Sequence, residues 1–133
     1  MILSDRSEKN LAGVHPDLVR VMRETAARTP FPFVVVEGLR SVEREIELIS
    51  RGASALKDPT KSKHCQGLAV DVVVFDENGQ PVWRHASYRD LAAVVLQVAD
   101  ELGVDIVWGG SWHTFIDDDH FELATPLMEV TQT

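Results

Sequence analysis

Apolar positions recur along the chain in two periods, and the switches between them mark the elements. From Asp17 to Arg28, Leu18, Val21, Met22, Thr25 and Ala26 fall at helical spacing, which predicts a helix with one buried face. Pro16 suits its first turn and Pro30 ends it. Phe31 to Glu37 contains the apolar run Phe33-Val34-Val35-Val36, suited to a buried strand. Ser41 reads as the N-cap of a second helix, with Glu43 and Glu45 in the first turn where the dipole favours acids. Val42, Ile46 and Ile49 are expected to form its buried stripe, and Gly52 its stop. Residues 53–63, polar with a proline, read as loop.

Leu68 to Phe75 is the strongest strand pattern in the chain. Asn78-Gly79 is a turn signal, predicting a hairpin whose return strand includes Val82 and Trp83. Ser87 is expected to cap a third helix, with Asp90 at the reciprocal position, Leu91, Val94, Val95, Val98 and Leu102 on its core face, and Gly103 at its end. Val104 to Trp108 and Phe121 to Leu123 predict two more short strands. The pattern is α+β: about three helices packed against a small, mostly antiparallel sheet.

Composition narrows the class. The 133 residues suit a single domain, residues 1–133, and no repeat or linker divides them. Cys65 is the sole cysteine, so no intramolecular disulfide is possible. A net charge of −8 argues against a nucleic-acid partner, which favours a basic surface. No apolar run approaches the roughly 20 residues of a membrane span, so no membrane anchor is expected. The N-terminus lacks the apolar core of a secretory signal, which implies synthesis in the cytoplasm without a signal peptide.

Asp71 demands an explanation, because it interrupts the apolar run Leu68-Ala69-Val70-Asp71-Val72-Val73-Val74-Phe75. An uncompensated carboxylate inside a sheet costs several kcal/mol, so it must meet a cation. An arginine is one candidate, and a metal is the other. His64 lies seven residues earlier, at the mouth of the same strand, and Gly67 between them lets the chain turn sharply. His120 opens His120-Phe121-Glu122-Leu123, where alternation sends Phe121 and Leu123 to one face and His120 and Glu122 to the other. If this strand lies beside that of Asp71, His120 and Asp71 can share a face. Two histidines and one aspartate leave a tetrahedral zinc one position short, and water can fill it.

Asp117-Asp118-Asp119 lacks the alternating ligands and closing Glu of a calcium loop. Two of the three read as a solvated turn; Asp117, three residues before His120, is placed to act as general base. Glu122 reads either as a partner behind His120 or as a solvent-facing charge. Trp108-Gly109-Gly110-Ser111-Trp112 lacks the Lys-Ser/Thr ending of a phosphate loop and suggests a tight turn between aromatic walls, with Trp112 lining a substrate groove. Arg40, at a strand end, can point into a cleft and bind a carbonyl or carboxylate. His15, His85 and His113 have no evident partner and are read as non-ligands; Cys65, beside His64 but on the other side of an extended chain, is set aside as a ligand.

Ser62-x-His64-x-x-Gly67-x-Ala69-x-Asp71, followed by Trp108-Gly109-Gly110-x-Trp112 and Asp117-x-x-His120-Phe121-Glu122, resembles the VanY/LAS-type zinc peptidases of peptidoglycan (peptidase M15). Among them it is most similar to phage endolysins that are L-alanyl-D-glutamate endopeptidases. Leu11-Ala12-Gly13-Val14-His15-Pro16-x-Leu18 and Gly38-x-Arg40-Ser41 resemble the opening of that family, and the likeness runs over about residues 10–124. The resemblance implies a Hedgehog/DD-peptidase-like fold, one zinc held by His64, Asp71 and His120, and Asp117 as catalytic base. It also implies that Arg40 assists at the substrate carbonyl and that Ser62 positions substrate or a ligand. Glu45 departs from the family, which usually carries Gln near that position.

The same resemblance implies a bare, monomeric catalytic domain without a cell-wall-binding module. It would be made in the host bacterial cytoplasm and act on the periplasmic wall once the membrane is permeabilised. Two other functions fit the ligands: a D-alanyl-D-alanine carboxypeptidase or dipeptidase of the same superfamily, and a non-catalytic zinc-stabilised binding domain. The second would have no need of Asp117.

Overall fold

The computed structural model describes residues 2–53, 58–112 and 116–124. In chain order the elements are α1 (Asp5–Asn10), α2 (Pro16–Arg28), β1 (Phe33–Glu37), α3 (Val42–Ser50), β2 (Ala69–Phe75), β3 (Pro81–Val82), α4 (His85–Leu102), β4 (Ile106–Trp108) and β5 (His120–Leu123). Short 3-10 turns at Pro59–Lys61 and Gly109–Ser111 complete them. The strands form a five-stranded sheet in the order β1-β2-β5-β4, with β3 also paired to β2. Every one of these pairings is antiparallel, as the α+β reading expects.

Period-2 alternation along β2 divides the molecule. Val70, Val72 and Val74 are buried, and they join Leu18, Val21 and Met22 of α2 and Leu91, Val95 and Val98 of α4 in one core. Asp71, Val73 and Phe75 point to the other face and are only partly buried. Phe121 of β5 extends the core face, so its neighbours His120 and Glu122 point the same way as Asp71.

α1 has no counterpart in the sequence reading. Its Ser4 cap accepts the Ser7 N–H at 3.1 Å. The buried Ser7 Oγ then accepts the Val35 N–H at 2.9 Å, and Asn10 Nδ2 donates to the Val35 carbonyl at 2.9 Å. Two side chains of α1 therefore satisfy backbone groups that the edge strand β1 would leave open.

Several expectations are corrected. Val42 and Ile46 of α3 are exposed (40% and 52%), and the buried residue of that helix is Glu45. A salt bridge to Arg40 draws Glu45 inward. α4 begins at His85 with Arg84 as N-cap rather than at a Ser87 cap, because His85 is recruited by contacts to Asp118 and Trp108. Trp83 lies outside β3 and is exposed, since the Tyr88 hydroxyl donates to the Val82 carbonyl and accepts the Val74 N–H, ending the hairpin at Val82. Val104 bonds back to the Ala99 carbonyl as part of the α4 terminus, so β4 starts only at Ile106. Part of the 53–63 loop, residues 54–57, falls outside the described residues, as does His113.

Candidate metal centre

The centre is built on a row of residues across the sheet. Glu37 of β1, Asp71 of β2 and His120 of β5 are direct cross-strand partners. A register shift between Val35 and Glu37 re-aims the end of β1 at that row. His64 arrives from the turn before β2. Gly67 makes that turn with φ 72°, and a Cβ there would stand 2.7 Å from the Gly13 carbonyl oxygen. A residue with a side chain would strain the backbone and collide with it, so the turn that aims His64 at Asp71 requires glycine.

Three donor atoms converge. Asp71 Oδ1 is 3.2 Å from His64 Nε2 and 3.1 Å from His120 Nδ1. Ligands about 2.0–2.1 Å from a tetrahedral ion stand roughly 3.3 Å apart, so these separations are close to the edges of such a tetrahedron. Each ring's other nitrogen is occupied. His64 Nδ1 donates to the Gly38 carbonyl at 2.9 Å, and His120 Nε2 donates to Glu122 Oε1 at 2.9 Å. With an ion bound, these bonds would select the neutral tautomers whose lone pairs, on His64 Nε2 and His120 Nδ1, face it, an arrangement that orients histidines for a metal. His64, Asp71 and His120 therefore fit a divalent ion. Of the two readings of Glu122, the partner behind His120 is the one observed.

The charges of the site are set by the same contacts. Burial works to raise the Asp71 carboxyl, but hydrogen bonds to His120 and His64 outweigh it and hold the group well below the usual carboxylate range. Burial works to lower His120, but the bonds to Asp71 and Glu122 push it up to about 9. Without an ion, these contacts favour the protonated imidazole of His120.

Arg40 meets the same carboxylate from the other side, with Nη2 3.7 Å from Asp71 Oδ2. Its Nε and Nη2 donate to Glu37 at 2.7 and 2.8 Å, and its Nη1 donates to Glu45 at 2.7 Å. Both cations considered for Asp71 thus have a place: an arginine at Oδ2 and a metal position at Oδ1.

Asp117 Oδ2 lies 4.0 Å from His120 Nδ1. The turn carrying it is tightly seated: Asp117 N–H donates to Gly109 O (3.1 Å), and a Cβ on Gly109 would come within 2.4 Å of the Asp117 carbonyl oxygen. Asp119 is a site residue that the sequence reading passed over. Burial, a hydrogen bond to Asp117 and the nearby Asp71 charge push its carboxyl up to about 8. Three identical residues in a tight turn gave no signal that would single it out.

The other candidates fall in distinct places. The Trp112 ring centre is 5.3 Å from that of His120, at the edge of the site. Ser62 is buried, and its Oγ accepts the Cys65 N–H at 3.4 Å within the turn that carries His64. Cys65 Sγ approaches the Ser41 carbonyl instead of the donor trio. His15 caps α2, its Nδ1 accepting the Asp17 N–H.

Two histidines and an aspartate with a free carboxylate alongside are the donor set of metal-assisted hydrolases. The family model described as phage L-alanyl-D-glutamate peptidase matches residues 1–126. The L-alanyl-D-glutamate peptidase of Escherichia phage T5 is 36% identical over 108 residues, which cover 80% of this chain and 78% of that protein. Peptidoglycan L-alanyl-D-glutamate endopeptidase CwlK of Bacillus subtilis (strain 168) is 26% identical over 113 residues, 77% of this chain and 66% of CwlK. The crystal structure of the Serratia marcescens L-Ala D-Glu endopeptidase ChiX superposes with a TM-score of 0.84 and 42% identity, covering 93% of this chain and 90% of that one. The chain belongs to the phage L-alanyl-D-glutamate peptidase family, as its motifs imply.

Proposed function

We propose that this chain is a zinc-dependent peptidoglycan endopeptidase that hydrolyses the L-alanyl-D-glutamate bond of the stem peptide. The observation that carries the reading is the convergence of His64 Nε2, Asp71 Oδ1 and His120 Nδ1, with the Asp117 carboxylate 4.0 Å from the last. The names of its relatives support the choice of bond.

A zinc ion held by those three atoms would supply a Lewis acid and acidify the attacking water. Asp117 accepts the proton of that water as its oxygen bonds to the L-alanyl carbonyl carbon, and returns it to the D-glutamate nitrogen as the C–N bond breaks. Asp119 lies beside Asp117, where its carboxyl in the protonated form would hydrogen-bond to the Asp117 carboxylate and hold it in one orientation. Arg40 orients Asp71 and places positive charge where the carbonyl oxygen gains negative charge. Ser62 supports the turn that carries His64, and Trp112 walls the substrate groove. The protein acts on the cell wall as a monomer after the membrane is permeabilised; among the described residues no helix is long and apolar enough to cross a membrane.

Digestion of purified peptidoglycan, followed by chromatography and mass analysis, tests the reading. New L-alanine carboxyl ends and D-glutamate amino ends are expected, with cleavage stopped by a chelator and restored by zinc. Released D-alanine would instead identify a carboxypeptidase, and full activity in the chelator would remove the metal from the mechanism.

A further inference from the structure

Asp117, Asp118 and Asp119 diverge. Asp117 and Asp119 turn toward the centre, while Asp118 turns away toward the start of α4. There the His85 Nδ1–H donates to Asp118 Oδ1 at 2.6 Å. The Trp108 indole N–H donates to the Asp118 backbone carbonyl at 2.7 Å. The His85 and Trp108 rings stack with centres 5.4 Å apart and planes 30° from parallel. The three residues close a triangle, and Trp108 is itself the cross-strand partner of Phe121, the residue after His120.

We propose that His85, Asp118 and Trp108 form a clamp that positions Asp117 for proton transfer; they are positioning residues and do not touch the reacting atoms. The proposal rests on Asp117 being the base. The reason is one of scale. His85 is about half exposed, and such exposed side-chain pairs contribute roughly 0–1 kcal/mol to stability. A displacement of about 1 Å in a reacting group can cost 10²-fold in rate. The contact is therefore a minor one for folding and a major one for the base held one residue away.

Steady-state kinetics on a defined stem-peptide substrate test this with the zinc-loaded protein. His85→Ala and Asp118→Ala should lower kcat by about tenfold to a hundredfold with KM little changed. Zinc stoichiometry and melting temperature should stay at wild-type values. His85→Asn, whose amide nitrogen stands close to the place of Nδ1, should recover most of the loss. Trp108→Phe, which keeps a ring but removes the N–H, should fall between. An unchanged kcat in both alanine variants would overturn the clamp, and so would a rate loss seen only with loss of metal or fold. Asp117→Asn separates the two ideas: inactivity there with wild-type rates in His85→Ala sinks the clamp alone, whereas turnover in Asp117→Asn sinks the base.

Discussion

Asp71 and His120 stand opposite each other across β2 and β5, and Oδ1 of the first lies 3.1 Å from Nδ1 of the second. Antiparallel register alone sets their Cα positions, and a slip of one residue would send His120 into the core face. The pair is therefore as rigid as the sheet that carries it, and only His64 depends on a loop.

Asp71→Ala should abolish both zinc binding and activity. It removes the donor that lies between the two histidines and leaves Arg40 facing a vacated position. Metal analysis of the purified variant is the check; stoichiometric zinc with full turnover would take Asp71 out of the ligand set.

Metal-free protein should lose stability as the pH rises from about 6.5 to about 9. His120 is raised from 6.5 to about 9 in the fold, because its bonds to Asp71 and Glu122 outweigh the burial that opposes them. A raised group contributes stability that is fully present below its unfolded pKa and is lost as pH passes through its folded one. The contribution is on the order of 3 kcal/mol. A zinc ion bound there would replace that proton, so binding should release it and tighten as pH rises over the same window. Denaturant melts of metal-free and zinc-loaded protein across the window measure both, and a flat metal-free profile would contradict the assignment.

Much of this centre was legible because strands have a period of two. Asp71 betrayed itself as a charge in an apolar run, and His120 followed from alternation with Phe121. Gly67 signalled the turn that delivers His64. What was not legible depends on partners or on which face the core takes. The Val42 and Ile46 stripe of α3 is a good helical face, yet a period cannot say whether that face meets the core or solvent. Glu45 is buried because Arg40 reaches it. The beginning of α4 is set by His85 meeting Asp118, 33 residues away. Asp119 was hidden in a run of three identical residues that reads as a solvated turn.

Glu122→Ala should weaken zinc binding by about 10–100-fold while leaving the fold intact. Glu122 Oε1 accepts the His120 Nε2 proton at 2.9 Å and so fixes the tautomer that presents Nδ1. Glu122→Gln keeps an acceptor and should lose less. Competition with a chelator of known affinity gives both numbers; equal affinity in all three proteins would make Glu122 a bystander.

Asp117→Ala should eliminate turnover and retain zinc, since Asp117 Oδ2 stands 4.0 Å from His120 Nδ1 and outside the trio. Loss of the metal in this variant would convert Asp117 from base to ligand.

Arg40 poses a harder test because two of its roles fail together. The Arg40 side chain is 10% exposed and the Glu45 side chain 0%, and their 2.7 Å bond lies beside the Glu37 fork. Removing one partner of a buried ion pair costs about 3–5 kcal/mol. Arg40→Ala should therefore melt far below wild type, and any fall in kcat would be confounded by the damaged scaffold. Arg40→Lys keeps the charge but not the planar fork that engages two glutamates at once. It should lose less stability than the alanine variant, and its kcat can be compared with wild type well below its melting temperature. A reduced kcat with zinc retained would mark the guanidinium as part of the chemistry. A wild-type kcat would leave Arg40 as the strut that ties α3 to β1 and Asp71.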